Sequence, residues 1–302
     1  MGNRSKIILI SGPTASGKSN FAILLAKKLN GEIVNADSMQ VYKELKILTA
    51  RPTKKAQKNI KHHLYGFLSV KKNFSVGEWQ KLATKKISEI KKRKKTPILV
   101  GGTGLYFKTI TDGFTKIPKI PIKFRNKIRN LQKKIGQEKF YQKLLKLDNL
   151  TKNKINPNDV QRSIRAYEVK SYTKVSLYEW FRRTIKNFSD EEFIKIYINF
   201  PREDLIKKIN FRVDSMFKKG AVREVKKFFK LNVKKDKSSN KVIGLGEIKK
   251  YLCNEKDLEA VKDLIAIKTR QYAKRQITWA RGHMLNWKKI DPSDLVSFTK
   301  KI

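Results

Sequence analysis

Cysteine is almost missing from this chain: Cys253 is the only one in 302 residues. A single thiol excludes an intramolecular disulfide and any cysteine-based metal site. Histidine is nearly as scarce, and two of the three, His62 and His63, are neighbours. Adjacent side chains diverge on a helix, so the pair reads as structural and not as a metal ligand set. Acidic residues are few, with 26 Asp and Glu against 71 Lys and Arg, for a formal charge of +45. No apolar run approaches the ~20 residues that span a bilayer. The opening MGNRSKIILISG is basic and then briefly apolar, as a secretory signal would be. Its apolar part, Ile7–Ile10, is too short and leads straight into a glycine-rich loop, so a buried strand is expected there. These deficits lead to the expectation of a soluble, cytoplasmic chain with no membrane partner.

What is present supports a packed core. Hydrophobic residues make up 39% and aromatics 10%, which argues against wholesale disorder although 32% are charged. The length allows one large domain, or a core with a second lobe. The positive excess attracts polyanions through long-range fields and counterion release. A Lys-biased composition produces the same excess without such a partner, and charge alone does not separate tRNA from rRNA, DNA or an anionic membrane. The runs Lys54–Lys61 and Lys91–Lys95 read by default as solvated surface.

Four short apolar runs read as strands: Lys6–Ser11, Glu32–Ala36, Pro97–Val100 and Phe193–Phe200, the last closed by Pro201. Helical stretches separate them, including Asn20–Leu29 and Val76–Lys92. Alternation of this kind predicts an α/β fold, a P-loop NTPase-like parallel sheet flanked by helices. After about Asp112 the strand signals stop. Lys123–Leu147 and Asp159–Arg182 carry helical periodicity, so residues 113–192 are expected to form an all-helical insertion between core segments 1–112 and 193–302. Two long helices, roughly Arg202–Lys230 and Asp257–His283, are expected to complete the core.

Gly12-Pro13-Thr14-Ala15-Ser16-Gly17-Lys18-Ser19 matches G-x-x-x-x-G-K-[ST] and lies between a strand and a helix, as the mechanism of that motif requires. Backbone N–H groups converge on phosphate there, helped by the positive end of the helix. Lys18 would reach the terminal phosphate and Ser19 would ligate Mg²⁺, the expected cofactor. The motif reports bound phosphates, not their fate. Asp37 ends the second strand, where open parallel sheets place their ligand crevice. It reads as a general base or, equally by position, as a helix cap or a solvated loop aspartate. Thr103, in the turn Gly101-Gly102-Thr103-Gly104, would face the same crevice. Met39 and Tyr42 would either line an apolar pocket or simply pack.

GPTASGKS at Gly12–Ser19 occurs with NADSMQVY at Asn35–Tyr42, TARP at Thr49–Pro52 and GGTGLYF at Gly101–Phe107. Further along come NDVQRSIR at Asn158–Arg165, NFRVDSM at Asn210–Met216, Ile243-Gly244 and RQYAKRQITWAR at Arg270–Arg281. In order and spacing, from about residue 6 to 290, this set resembles the tRNA dimethylallyltransferase (tRNA isopentenyltransferase) family. The phosphate loop alone is widely shared; its combination with DSMQVY, GGTGLYF and KRQITWAR is specific.

The resemblance implies transfer of a dimethylallyl group from dimethylallyl diphosphate to N6 of adenosine 37, in tRNAs that read codons beginning with U. It implies that Gly12, Thr14, Ala15, Ser16, Gly17, Lys18 and Ser19, with Arg212, hold the diphosphate, and that ATP is not the substrate. Asp37 matches the base, and Lys18, Thr103 and Arg212 join it as catalytic residues. The tRNA contacts implied are Asp37, Ser38, Met39 and Gln40, then Thr103 and Arg125, then Gln161, Arg162, Ser163, Ile164 and Arg165. The last implied group is Lys274, Arg275, Gln276, Ile277, Thr278, Trp279, Ala280 and Arg281. One departure stands out: where relatives often place an aromatic and a basic residue, this chain has Leu245-Gly246-Glu247, which puts a tRNA contact there in doubt or moves it to a residue such as Lys241.

The residues suit the chemistry. Cations and loop N–H groups stabilise a departing diphosphate, and the adenine must leave its stack to enter a sheet crevice. Arg270, Lys274, Ile277 and Arg281 share one helical face, a line of charge for a phosphate backbone. Trp279 reads as core packing, or as a cation–π partner of Arg275. A monomer is expected. Rival readings are a small-molecule kinase, an isopentenyltransferase for free adenine nucleotides, and an NTP-switched RNA-binding protein. The missing arginine-rich lid, the helical insertion and the KRQITWAR segment disfavour them.

Overall fold

Ile7–Ser11 (β1) is buried along its whole length, and its side chains divide by parity. Ile8 and Ile10 join one apolar layer, and Ile7 and Leu9 join the other. That is the signature of a strand covered on both faces. Each such side chain stabilises the fold by about 1.5–3 kcal/mol when fully buried. The computed structural model describes residues 6–57 and 59–301, so Met1–Ser5 of the basic N-terminus and Lys58 of the charged run lie outside the described residues.

The chain divides into two compact units, one running to Thr111 and resuming at Phe188, the other Asp112–Asn187. The larger begins with β1, α1 (Lys18–Lys28), β2 (Gly31–Asn35), α2 (Lys54–Gln57), β3 (His62–His63), α3 (Val76–Lys92), β4 (Thr96–Gly101) and α4 (Gly104–Thr111). The smaller holds α5 (Ile122–Ile135), α6 (Gln137–Leu147), α7 (Val160–Thr173) and α8 (Leu177–Arg182) and has no strand among its described residues. The larger unit then continues with β5 (Phe193–Ile198), α9 (Arg202–Lys218), α10 (Ala221–Lys230), α11 (Leu245–Leu252), α12 (Leu258–His283), β6 (Lys288–Ile290) and α13 (Leu295–Lys301).

All strand pairings are parallel, in the order β3-β2-β4-β1-β5-β6. β4 and β5 flank β1, so the chain leaves β1 at a topological switch point, where a crevice opens beyond the strand ends. The expected P-loop-type parallel sheet is therefore what the chain forms. The two edge strands, β3 and β6, are additional to the four expected. β3 has two residues and β6 reads Lys-Lys-Ile, so neither carries an apolar run.

Helix α3 begins with a reciprocal cap: Ser75 Oγ accepts from Glu78 N–H at 3.2 Å, and Glu78 accepts from Ser75 N–H at 2.7 Å. Its buried face is Trp79, Ala83, Ile87 and Ile90. Trp79 stacks on Tyr106 at 4.0 Å and donates its indole N–H to Asn35 O at 2.9 Å. This one residue thereby ties α3 to α4 and to the end of β2.

Three of the helices expected to be continuous are broken. Gly136, at φ 78, separates α5 from α6, and Gly220, at φ 94, separates α9 from α10. Lys174 ends α7 in the left-handed region, and Ser176 caps α8. The expected insertion boundary at residue 192 also moves. Residues 188–192 belong to the larger unit, because Phe188 packs on Phe193 and Glu192 pairs with Lys91 at 2.6 Å; at the other end Asp112 falls with the insertion.

Candidate active site

The phosphate loop leaves β1 and enters α1, and Thr14 to Ser19 line a cavity of about 690 Å³ at the carboxyl ends of the strands. Lys18 Nζ donates to Pro13 O at 2.6 Å, across the mouth of its own loop. Burial lowers the Lys18 ammonium to about 8; Asp37 opposes that shift and Arg212 adds to it. Ser16 Oγ is buried and hydrogen-bonds to nothing among the described residues. Thr14 is held twice: its hydroxyl accepts from Arg212 Nη1 at 2.9 Å, and its N–H donates to Gln276 Oε1 at 2.8 Å. Arg212 comes from α9, and burial pulls its guanidinium down from the usual value while Asp37 pushes it back.

Asp37 lines the same cavity. One oxygen, Oδ1, accepts the N–H groups of Met39 at 2.9 Å and Gln40 at 3.4 Å, which fixes the turn after β2. The residue is thus both a turn former and a carboxylate facing the phosphate loop. Three phenols surround it. Burial pushes Tyr65, Tyr106 and Tyr272 upward, and the Asp37 charge adds to each shift, so all three stay neutral. Five cationic side chains, Lys18, Lys208, Arg212, Lys241 and Arg275, line the cavity, with Asp37 as the one carboxylate among the described lining residues. An anion fits that balance. An apolar wall of Met39, Leu48, Val213, Met216, Val242 and Ile265 completes it.

Thr103 lies in a second, adjoining cavity of about 280 Å³, together with Gly12, Ser38 and Trp279. Its hydroxyl accepts from Ser38 N–H at 2.9 Å and donates to Ser38 Oγ at 3.2 Å, binding the turn after β4 to the segment after β2. Tyr272, Arg275 and Gln276 line both cavities and form the partition between them.

A family model described as IPP transferase matches residues 40–283. The chain belongs to the IPP transferase family. It is 61% identical to the tRNA dimethylallyltransferase of Pelagibacter ubique over 302 residues, covering all of this chain and 96% of that protein. It is 44% identical to the tRNA dimethylallyltransferase of Rickettsia massiliae, covering 99% of this chain and 83% of that one. Among solved structures, the tRNA isopentenylpyrophosphate transferase of Bacillus halodurans aligns with a TM-score of 0.71 at 33% identity, over 98% and 95% of the two chains. A eukaryotic dimethylallyltransferase solved acting on tRNA aligns with a TM-score of 0.83 at 28% identity, over 97% of this chain and 75% of that one.

In this IPP transferase the segment Lys274–Arg281 divides between faces of α12. Arg275, Gln276 and Trp279 face the cavities just described. Lys274, Ile277, Thr278 and Arg281 line a separate groove of about 660 Å³. Trp279 packs beside the core and stacks on His283 at 4.4 Å, while Arg275 lies over Tyr272 at 5.8 Å, so the indole is a packing residue and not the cation's partner. Tyr42 is core, 2% exposed, whereas Met39 lines the donor-side wall. In the insertion, Ser163 and Ile164 turn inward, Arg165 is half-buried, and Gln161 and Arg162 are exposed. Arg125 and Arg165, with Arg129, converge on the buried carboxylate of Glu168.

Several residues of the site carried no role in the sequence reading. Tyr272 is one helical turn before Gln276, a spacing that would have found it. Glu224 in α10 accepts three successive N–H groups, Lys46 and Ile47 on Oε1 and Leu48 on Oε2, at 2.7–2.9 Å, and so fixes the loop whose Leu48 forms the apolar wall. No local pattern announces that contact, which spans about 180 residues.

Proposed function

We propose that this chain transfers a dimethylallyl group from dimethylallyl diphosphate to N6 of adenosine 37 in the anticodon loop of tRNAs reading codons that begin with U. The observation that carries the reading is one cavity that joins a phosphate cradle, a cationic excess, an apolar wall and a carboxylate. Family membership and the named relatives support the same reaction.

The amine N6 attacks C1 of the prenyl group as the C1–O bond breaks, and the bond electrons leave with the diphosphate. Lys18, Arg212, the Ser16 hydroxyl and the loop N–H groups take up the growing negative charge; loss of one such donor typically costs about 10²–10³ in rate. Asp37 receives the N6 proton, which restores a neutral amine. The three neutral phenols exclude water and supply no competing base. The adenine reaches this crevice only by leaving its stack.

The fit of Mg²⁺ rests on donor chemistry. Ser19 offers a hydroxyl on the cavity wall, and no group of three or more His, Cys, Asp or Glu able to cage a metal occurs among the described residues. Ser19 would hold the ion beside the diphosphate, and a hard oxygen donor of this kind suits magnesium. When bound it adds charge neutralisation to the leaving group. A monomer acting in the cytoplasm, where its RNA substrate is found, completes the proposal.

The test is direct: incubate the protein with labelled dimethylallyl diphosphate and bulk tRNA, then map the modified nucleoside. Label on N6 of adenosine 37 is the expected result. No label transfer there, with phosphate transfer from ATP in a parallel incubation, would favour the kinase-type alternative instead.

A further inference from the structure

The geometry points to Gln276 as a positioning residue that links the RNA-facing helix α12 to the phosphate loop, and not as an RNA contact. The inference rests on the reading above. A primary amide carries an acceptor at one end and a donor at the other. In Gln276 both ends are used within the protein. Oε1 accepts from Thr14 N–H at 2.8 Å, and Nε2 donates to Gly102 O at 3.0 Å. One side chain therefore bridges the loop after β1 and the turn after β4, partners 262 and 174 residues away.

The fit is close. A Cβ on Gly102 would sit 2.0 Å from Gln276 Nε2, so any larger residue there would displace the amide. Thr14 is also gripped on its hydroxyl by Arg212, so the same loop residue is fixed from α12 and from α9. The other face of α12 differs. Lys274 and Arg281, with Arg202, Arg270 and Lys289, line the 660 Å³ groove, which has no acidic residue among its described lining residues. RNA seated on that cationic face holds the helix, and the amide carries the constraint to Thr14. Coupling of this kind is reciprocal and typically amounts to roughly 5- to 150-fold in affinity.

The experiment measures the dissociation constant of inorganic diphosphate, an unreactive part of the donor, with and without a saturating anticodon stem–loop RNA. For the unaltered protein, RNA is expected to tighten diphosphate binding within that range. Gln276→Met, of similar length but without hydrogen bonds, is expected to bring the ratio to about one, with RNA affinity in the absence of diphosphate unchanged. Thermal unfolding checks that the variant is folded; if it is not, Gln276→Glu, which keeps the acceptor for Thr14 but not the donor to Gly102, takes its place and is expected to lower the ratio. A variant that keeps the full ratio, or an unaltered protein with no coupling, overturns the inference. So does a loss of RNA affinity without diphosphate, which would make Gln276 a direct contact. If the unaltered protein binds neither ligand, the functional reading itself fails, a result distinct from all of these.

Discussion

Two carboxylates sit at opposite ends of β2, Glu32 within the strand and Asp37 in the turn after it, and they are treated in opposite ways. Glu32 is 1% exposed and fully engaged: His63 at 2.6 Å, Arg93 at 2.7 Å and Lys95 at 3.5 Å converge on it. Asp37 uses one oxygen in a turn and faces Lys18 and Arg212 across a cavity. The first cluster is closed, with its charge balanced by its own partners. The second is open, with positive charge in excess and neutral phenols around it. A buried charge matched by its own partners holds the fold together, and a carboxylate facing a cationic cavity is placed for chemistry.

Mutations separate these roles. Asp37→Ala is expected to lower transfer by about 10²–10⁴-fold while tRNA binding persists, measured by single-turnover labelling and filter binding. Near-normal transfer would remove Asp37 as the base. Glu32→Ala should do the converse: stability falls by about 1–3 kcal/mol, read by denaturant unfolding, because His63, Arg93 and Lys95 lose the acceptor they share, while turnover per folded molecule stays the same. If Glu32→Ala leaves stability intact, the contrast between the two ends of β2 collapses.

Acid sharpens the same comparison. Burial alone would raise the Glu32 carboxyl, but hydrogen bonds from Arg93 and His63 overcome it and hold it at about 2. Its folded value lies below the unfolded one, so the stability it contributes is present above about pH 5 and is lost as pH falls toward 2. Melting temperatures across that window should show the loss in the unaltered chain and not in Glu32→Gln. At the open end the sign reverses. Lys18 sits at about 8 without an anion, and diphosphate favours its charged form. Donor affinity is therefore expected to fall above pH 8, by up to about tenfold per pH unit, with proton uptake on binding seen by calorimetry.

The smallest effect concerns the outer face of α12. Arg281→Ala should weaken tRNA binding and reduce the salt slope by about one, leaving diphosphate affinity unchanged. Equal loss of both affinities would erase the division between the two faces.

Much of this was legible in the chain. The α3 boundaries follow from Ser75, Glu78 and the spacing of Trp79, Ala83, Ile87 and Ile90, and the core strands follow from apolar runs that strands buried on both faces require. The edges were not legible, since a two-residue strand and a Lys-Lys-Ile strand have no period to read. Gly136 and Gly220, both at positive φ, break stretches that carry helical periodicity on either side of them. In the site, the loop, Asp37 and Arg212 were readable because motifs fix them, whereas the Gln276 bridge and the Glu224 anchor depend on partners far away in sequence. Even the side-chain directions of Ser163 and Ile164 emerge only when the insertion's helices pack.

The anchor from Glu224 has one more consequence. Successive main-chain N–H groups pointing to one spot form a nest, the same device by which a phosphate loop captures its anion. Here a second run of such N–H groups, Lys46 to Leu48, is already occupied by the Glu224 carboxylate, and its last residue, Leu48, lines the cavity. The carboxylate does for this loop what an anion does for a phosphate loop: it draws successive N–H groups together and holds the backbone in one conformation.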